Sequence, residues 1–236
     1  CKHGARAASS QCGTADVLEA LGVAVELSPE GVKQCVERAG MGFCLAARYH
    51  PAFRFAAPSR REIGVPTVFN LLGPMANPGR VKRQLIGVAN PMVAERMLAS
   101  LRLHGSKSSW VVHGGGLDEL TTTGPSTVLE LRGGQVRTFS VDPVSLGLAP
   151  AISEELVGGT PAFNADVVRR VMAGEQGAHR NIVVLNAGAG LVVADVASSL
   201  EEGVAMAAES IDSGRANETL TKLITESQAA LAEFGA

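Results

Sequence analysis

The sequence predicts an α/β protein with a mixed sheet flanked by helices. Two short apolar runs, residues 85–89 and 110–113, are bounded by turn residues as buried strands are, and a helical pattern over residues 94–103 separates them. Two further runs, residues 128–131 and 136–139, flank a Gly-Gly pair that is typical of a β-hairpin. Strands that alternate with helices, together with one hairpin, favour the α/β class.

Two helices are predicted near the N-terminus. A helical pattern over residues 15–21 ends at Gly22. The next helix has Ser28 as its N-cap and Pro29 at its first position, and it ends before Gly40. Both helices therefore have defined start or stop signals.

Four further segments complete the predicted elements. Residues 41–63 have a helical pattern with interleaved aromatic residues and arginines, and the apolar run over residues 182–185 predicts another buried strand. A Gly-Ala-Gly sequence follows this run, but Val193 replaces the third glycine of a dinucleotide-binding fingerprint, so we reject that function. Helices over residues 201–211 and 218–234 lead to the C-terminus.

Composition and cysteine spacing exclude several classes of function. The chain has 236 residues, of which 46% are hydrophobic, and this is enough for a sizeable core. A formal net charge of -2 gives no global reason to bind nucleic acid or an anionic membrane. Cys1, Cys12, Cys35 and Cys44 lack CxxC spacing, so we expect reduced thiols in a cytoplasmic protein, not a zinc site or disulfides.

The first candidate site is a phosphate cradle at the start of the chain. Lys2 and Arg6 supply positive charge, and the small residues around them let backbone N–H groups approach a ligand. Ser9 and Ser10 add hydroxyl donors, and a helix N-terminus follows a few residues later. On composition alone, a solvated loop that caps this helix is an equally good interpretation.

The second candidate is the acidic pair Asp118–Glu119, which follows a predicted strand and three glycines. Adjacent carboxylates can hold Mg²⁺, a cation that prefers oxygen ligands and usually bridges to substrate phosphates. An ordinary acidic turn is the alternative. The many hydroxyl side chains in residues 121–127 are unusual for such a turn.

The third candidate is the arginine-rich segment over residues 48–61. Guanidinium groups beside aromatic rings suit an aromatic carboxylate, because arginine forms paired hydrogen bonds with carboxylates and stacks on rings. An amphipathic helix with a basic, solvent-exposed face is the commoner alternative.

These segments, in this order, resemble the anthranilate phosphoribosyltransferase family. The similar strings are KHGARAASS followed by CGTADVLEALG, GFCLAARYHPAFRFAAPSRREIGVPTVFNLLGPMANP, GLDELTTTGPST and NAGAGLVVADVASSLEEGVAMAAESIDSGRA, which extend almost from end to end. The resemblance implies transfer of the phosphoribosyl group from phosphoribosyl pyrophosphate to anthranilate, in tryptophan biosynthesis. It also implies a fold of the nucleoside phosphorylase and phosphoribosyltransferase type with a mostly parallel mixed sheet, Mg²⁺ as cofactor, and a homodimer.

The resemblance assigns roles to individual residues. The residues expected to bind phosphoribosyl pyrophosphate are Lys2, His3, Gly4, Ala5, Arg6, Ala7, Ala8, Ser9, Ser10 and Thr14. Those expected at the anthranilate site are His3, Ala5, His50, Phe53 and Arg60. Asp118 and Glu119 are expected to hold Mg²⁺. No general base is nominated, because an arylamine is already nucleophilic and catalysis would consist of positioning and electrostatics.

The resemblance also implies two domains and an incomplete chain. Residues 1–27 and 64–236 are assigned to the α/β catalytic domain, and residues 28–63 to part of a small helical domain. The family's glycine-rich pyrophosphate loop and its Asn-x-Ser-Thr segment are expected upstream of Lys2. We therefore expect the chain to be truncated at its N-terminus and inactive by itself.

Two positions depart from the family pattern. Ala5 stands where the family usually has an Asn that contacts anthranilate, and Ala47 stands where it often has Pro. A different amine as acceptor is therefore an alternative. Two other functions also stay open: a pyrimidine nucleoside phosphorylase of the same broad fold, and a non-catalytic relative that binds nucleic acid. The arginine-rich segment and DELTTTGPST disfavour the first, and the lack of a net basic charge disfavours the second.

Overall fold

A computed structural model describes residues 1–7, 11–65 and 69–235 of the chain. The chain divides into two compact units. The helical unit comprises Cys1–Arg80, Gly158–Arg169 and Ala216–Ala236, and the sheet unit comprises Val81–Val157 and Arg170–Arg215. The assignment of residues 28–63 to a separate small domain, apart from 1–27 and 64–236, stays a prediction.

The helical unit is built around a short parallel ladder. Strand β1 (Lys2–Gly4) pairs in parallel with strand β2 (Phe43–Leu45). Its helices are α1 (Thr14–Leu21), α2 (Pro29–Ala39), α3 (Ala46–Tyr49), α4 (Phe53–Ile63) and α5 (Phe69–Met75), with the first part of α7 (Pro161–Met172) and nearly all of α10 (Arg215–Phe234). A buried apolar cluster joins β2 to α1, α2 and α10.

The first two helices begin and end where the sequence predicts. The Ser28 hydroxyl accepts a hydrogen bond from the Gly31 N–H at 3.2 Å, so it caps α2. Gly22 and Gly40 follow α1 and α2 with φ angles of 100° and 79°, a left-handed conformation that glycine adopts without strain.

The sheet unit contains a four-stranded mixed sheet in the order β3-β4-β5-β6. Its elements are β3 (Arg83–Gly87), α6 (Ala94–Leu103), β4 (Ser108–Gly114), β5 (Ser126–Arg132), β6 (Gln135–Val141), α8 (Ala178–Val193) and α9 (Leu200–Asp212). Three short 3-10 helices lie at Pro91–Val93, Pro143–Leu146 and Ser153–Leu156. Helix α6 packs on β4 and β5, and α8 packs on β3, β4 and α9.

The predicted mixed α/β class is confirmed. The resemblance implies a mostly parallel sheet, but two of the three strand pairs of the four-stranded sheet are antiparallel. Strand β4 is parallel to β3 but antiparallel to β5, and β5 is antiparallel to β6. The hairpin turn has φ angles of 57° at Gly133 and 80° at Gly134, as a two-residue turn with both φ angles positive requires.

Two sequence-based assignments are wrong. Residues 182–185 are part of helix α8, because their apolar run continues at helical spacing through Gly188, Ala189 and Val192, all of which are buried. A run of four apolar residues does not distinguish a buried strand from a buried helix. Residues 43–45, expected to be helical, form β2, because they pair with β1, a partner some forty residues away that a local pattern cannot reveal.

Glu130 is a buried carboxylate at the centre of the sheet. Its Oε1 accepts a hydrogen bond from Trp110 Nε1 at 2.8 Å, and its Oε2 accepts one from Arg137. Arg132 Nε lies 3.5 Å from Oε1. Burial alone would raise the pKa of Glu130, but the bonds from Arg137 and Trp110 outweigh it and hold the pKa below its ordinary value of 4.5. The carboxylate therefore stays charged within the sheet.

A paired buried carboxylate should stabilise the fold. We expect Glu130→Gln to lower the free energy of unfolding by about 1–2 kcal/mol. This is at the low end of the range for a hydrogen bond to a charged group, because the Arg137 side chain is largely exposed and water weakens the interaction. Denaturant unfolding measures this change. The control is Glu95→Gln, at an exposed position of α6. An equal effect of the two substitutions would contradict the role assigned to Glu130.

The same pair should make stability depend on pH. A carboxyl group with a lowered pKa in the folded state stabilises the protein above its unfolded pKa, and the contribution is lost as the pH falls through the folded pKa. The difference in the free energy of unfolding between the wild type and Glu130→Gln should therefore be largest at neutral pH and should decrease below about pH 4.5.

Candidate active site

Strand β1 places the first candidate residues beside β2. The Lys2 N–H donates to the Gly42 carbonyl at 2.9 Å, and the register aligns His3 with Cys44. A Cβ atom on Gly4 would lie 2.9 Å from the ring of Phe43, so the strand can approach this ring closely only with glycine there. Packing on Phe43 thus fixes the strand that leads into the candidate phosphate segment.

Asp16 in helix α1 binds two backbone groups that lie between β1 and α1. Its Oδ2 accepts hydrogen bonds from the N–H groups of Ala7 and Gly13, each at 2.8 Å. These two bonds lower the pKa of Asp16. A Cβ on Gly13 would lie 2.5 Å from the Ala7 nitrogen. The Ala7 N–H is therefore engaged by a side chain of the protein, next to the N-terminus of α1.

The two basic side chains of this segment differ in their surroundings. Arg6 forms ion pairs with Glu19 at 2.6 Å and Glu26 at 2.7 Å, and both carboxylates raise its pKa. Lys2 Nζ donates to the His3 carbonyl at 3.0 Å. Thr14, at the first turn of α1, is exposed. Two carboxylates thus engage Arg6. Ala8, Ser9 and Ser10, which are also predicted to bind phosphoribosyl pyrophosphate, lie outside the described residues.

Three of the residues predicted to line an anthranilate site come together in the helical unit. The rings of His3 and His50 meet edge to face at 5.0 Å between centroids, and His50 stacks on Phe53 at 5.3 Å. Ala5 follows in the same chain segment and is exposed. Arg60 lies in α4, but its side chain lies outside the described part of the structure.

Backbone carbonyls orient both imidazole rings. His3 Nδ1 lies 2.9 Å from the Gly73 carbonyl, and His50 Nε2 lies 2.7 Å from the Ala76 carbonyl. Since a carbonyl only accepts, each of these nitrogens carries a hydrogen atom. Burial, more than the nearby charges of His50 and Lys2, lowers the pKa of His3, so its ring is neutral near pH 7. The Nε2 of His3 is buried, with no hydrogen-bond partner among the described residues.

A tight turn after β4 presents the acidic pair. The N–H of Gly114 donates to the Leu117 carbonyl at 3.3 Å, and the N–H of Leu117 donates back at 2.8 Å. Gly115 and Gly116 have φ angles of 56° and 88°, which this turn requires. Asp118 and Glu119, which follow at once, are exposed.

Two contacts hold the backbone of the acidic pair. The Asp118 carbonyl packs on Gly87, at the end of β3, where a Cβ atom would lie 1.2 Å from the carbonyl oxygen. On the other side, Asn186 of α8 accepts a hydrogen bond from the Leu120 N–H at 3.1 Å and donates to the Leu120 carbonyl at 2.8 Å. Asn186 also donates to the Ile182 carbonyl at 2.9 Å.

Sequence reasoning missed the roles of Gly87 and Asn186. The contact partners of both are more than 30 residues away in sequence. The one local signal for Asn186 is an amide side chain within the apolar pattern of residues 182–193. A half-buried polar group in such a position needs hydrogen-bond partners, and here the backbone next to the acidic pair supplies them.

The hydroxyl-rich segment after the acidic pair has a structural role. Thr121 and Thr123 join their hydroxyl groups at 2.9 Å, and the Thr121 N–H donates to the Ser126 hydroxyl at 3.0 Å. Thr121 is fully buried. The hydroxyls therefore stabilise the turn that leads from Glu119 into β5.

The chemistry of the acidic pair suits a hard cation. The carboxyl of Glu119 is partly withdrawn from water although the residue is exposed overall; this desolvation, and then the charge of Asp118, raise its pKa. A nearby cation would relieve both effects. Within the described ranges, no group of three or more His, Cys, Asp or Glu side chains is arranged to hold a metal ion. Two carboxylates alone fit Mg²⁺ that takes its other ligands from water and substrate oxygens.

The sequence matches a known family along most of its length. Residues 1–217 match the glycosyl transferase family, a/b domain. The anthranilate phosphoribosyltransferase of Roseiflexus castenholzii is 50% identical over 96% of this chain and 67% of its own length. That of Parvibaculum lavamentivorans is 50% identical over 94% of this chain and 66% of its own length. The chain belongs to the anthranilate phosphoribosyltransferase family. It spans about two thirds of the length of these relatives.

Solved structures of anthranilate phosphoribosyltransferases have the same fold. The Thermus thermophilus enzyme is 43% identical, with a TM-score of 0.90 over 96% of this chain and 68% of its own. The Saccharomyces cerevisiae enzyme in complex with phosphoribosyl pyrophosphate and Mg is 27% identical, with a TM-score of 0.86 over 97% of this chain and 65% of its own. The predicted family and fold class are thus confirmed, and the matches favour the transferase over a nucleoside phosphorylase or a nucleic-acid-binding protein.

The contact at Gly87 can be tested with a matched pair of glycines. We expect Gly87→Ala to lower the free energy of unfolding by about 1–3 kcal/mol or more, because its Cβ would displace the Asp118 carbonyl. The control is Gly124→Ala, where nothing lies within 4 Å of a new Cβ and the change should stay within about 1 kcal/mol. Thermal and denaturant unfolding measure both, and equal stabilities would refute the contact.

Proposed function

We propose that the protein transfers the phosphoribosyl group of phosphoribosyl pyrophosphate to the amine of anthranilate, a step of tryptophan biosynthesis that releases pyrophosphate. The acidic pair Asp118–Glu119 carries the proposal. The Asp118 carbonyl packs on Gly87, Asn186 binds the backbone of the next residue, Leu120, and both acidic residues are exposed. Such a pair is suited to a cation that accompanies pyrophosphate. The proposal applies to the whole protein, including the segment that the family resemblance expects upstream of Lys2.

Asp118 and Glu119 would hold Mg²⁺ in this function. The cation, when bound, neutralises the negative charge that develops on the pyrophosphate as it leaves. The yeast relative, solved with phosphoribosyl pyrophosphate and Mg, supports this assignment. Gly87 and Asn186 would act as positioning residues, since they fix the backbone that carries the two carboxylates.

Lys2 through Ser10, together with Thr14, would bind the phosphoribosyl pyrophosphate. Lys2 supplies positive charge, and the N-terminus of α1 favours an anion. Asp16 already accepts from the Ala7 N–H, and Glu19 and Glu26 pair with Arg6. Arg6 could contact phosphate only by exchanging its ion pairs. Catalysis would come from placing the ribose carbon against the amine and from stabilising charge on the leaving group.

His3, His50 and Phe53 would contact the anthranilate ring, and Arg60 its carboxylate. The stacked His50 and Phe53 rings offer flat apolar faces, which suit an aromatic ligand. The His3 ring is neutral, so it can pack against an aromatic ligand without placing a charge there. A variant of the yeast relative solved with 4-fluoroanthranilate, at 26% identity and a TM-score of 0.83, supports an anthranilate-like ligand.

Homodimer formation and a cytoplasmic location complete the proposal and stay predictions. Among the helices of the described residues, none is long and apolar enough to cross a membrane.

Substitution of the acidic pair tests the function. Asp118→Asn with Glu119→Gln should weaken Mg²⁺-dependent binding of phosphoribosyl pyrophosphate about tenfold or more, because both ionic ligands are lost while the side-chain shapes are kept. Calorimetric titration with and without Mg²⁺ measures this, beside an activity assay. The matched control changes Glu154 and Glu155, an adjacent acidic pair in a 3-10 helix, to Gln. Unchanged Mg²⁺ dependence in the first variant would contradict the assignment.

Ala5 tests the identity of the acceptor. If anthranilate is the natural acceptor, Ala5→Asn should raise kcat/KM for anthranilate by roughly one to two decades, because an amide can hydrogen-bond the ligand where a methyl group cannot. The control is Ala149→Asn, at an exposed position of the sheet unit outside the candidate site, which should leave kcat/KM unchanged. Both variants are assayed in the whole protein with identical Mg²⁺ and phosphoribosyl pyrophosphate. Equal or lower efficiency of Ala5→Asn would favour a different amine as acceptor.

A further inference from the structure

Two cysteine thiols of the helical unit lie next to each other beside strand β1. Cys1 Sγ is 3.6 Å from Cys44 Sγ, and both cysteines are free thiols. Cys44 is paired in register with His3, two residues after Cys1. Side chains two residues apart on a strand share a face, which explains why the two thiols meet although they are 43 positions apart in sequence.

The backbone around both thiols is held in place. The Lys2 N–H donates to the Gly42 carbonyl at 2.9 Å. Asn77 Nδ2 donates to the Cys1 carbonyl at 3.1 Å, and Cys44 lies within β2. The two sulfurs need to approach by about 1.5 Å to reach the length of a disulfide bond. Rotation of the Cys1 side chain about its Cα–Cβ bond covers such a distance.

The two thiols have different surroundings. Cys1 is exposed, whereas Cys44 is 3% exposed. Burial raises the pKa of the Cys44 thiol, so very little of it is thiolate near pH 7. Because the thiolate is the form that reacts with oxidants, Cys1 is the first target and Cys44 is the resolving partner. Its place next to Cys1 compensates for its low thiolate content.

We propose that Cys1 and Cys44 form a reversible disulfide when the protein meets hydrogen peroxide. The Cys1 sulfur attacks the peroxide, the O–O bond breaks, and Cys1 is oxidised to a sulfenic acid while the peroxide is reduced to water. The Cys44 sulfur then attacks the sulfenic sulfur. The S–S bond forms, the S–O bond breaks, and the departing hydroxide takes the thiol proton and leaves as a second water.

The disulfide ties the start of β1 to β2. Strand β1 has three residues, two of which are Lys2 and His3 of the candidate active site. A covalent link beside so short a strand holds it on β2. In the predicted cytoplasmic location such a disulfide is transient and forms in response to oxidants. The site does not depend on the proposed transferase function.

Peptide mapping tests the link directly. The purified protein is treated with hydrogen peroxide, its remaining thiols are blocked with iodoacetamide, and its tryptic peptides are identified by mass spectrometry. The four cysteines fall on different tryptic peptides, which end at Lys2, Lys33, Arg38 and Arg48. The peptide that ends at Lys2 should be found linked to residues 39–48. Dithiothreitol should release both peptides as free thiols.

Three variants control the experiment. Cys1→Ser, a conservative change at an exposed position, and Cys44→Ala should each abolish the link. Cys12→Ser changes a partly exposed cysteine outside the pair and should leave the link unchanged.

Thermal unfolding provides the second measurement. Oxidation should raise the midpoint of unfolding by about 5 °C or more in the wild type, because the link closes a long loop and constrains the unfolded chain. Cys1→Ser should show no such rise. A link that involves Cys12 or Cys35, oxidation of Cys1 with Cys44 left as a free thiol, or an equal rise of the midpoint in Cys1→Ser would each overturn the proposal.

Discussion

The contact between the Asp118 carbonyl and the Gly87 backbone is the constraint on which the candidate metal site depends. No side chain fits between the end of β3 and the segment that leaves β4, so the acidic pair can follow its strand only where β3 ends in glycine. Asn186 then hydrogen-bonds both backbone groups of Leu120, two residues after Asp118. A rigid backbone beneath two exposed carboxylates is what a site that positions a cation requires.

Two glutamates of the sheet unit show how surroundings separate structural from functional carboxylates. Glu130 is buried but receives hydrogen bonds from Trp110 and Arg137, and its pKa is lowered. Glu119 is more exposed, yet its nearest charged neighbour is another carboxylate, and its pKa is raised. The first charge is satisfied within the protein. The charge of Glu119 would be stabilised by a bound cation. Carboxylates with perturbed pKa values are often found at functional sites.

In the helical unit, internal hydrogen bonds and ion pairs already engage the Ala7 N–H and the Arg6 side chain of the candidate phosphate segment. Asp16 accepts from the loop backbone, and Glu19 and Glu26 engage Arg6. A ligand there would compete with these groups as well as with water. The aromatic cluster of His3, His50 and Phe53 differs, because backbone carbonyls orient both imidazoles and leave ring surfaces for contact with a flat ligand.

The sequence by itself determined the local elements whose signals are local: the Ser28 cap, the Gly133–Gly134 hairpin and helix α6 all lie where their own residues predict. It also contained the family strings that point to the acidic pair. Only the tertiary structure decided that residues 43–45 form β2 and that Asn186 and Gly87 hold the acidic pair. The physical reason is that strand pairing, close backbone approach and buried hydrogen bonds depend on partners distant in the chain, about which a local pattern carries no information.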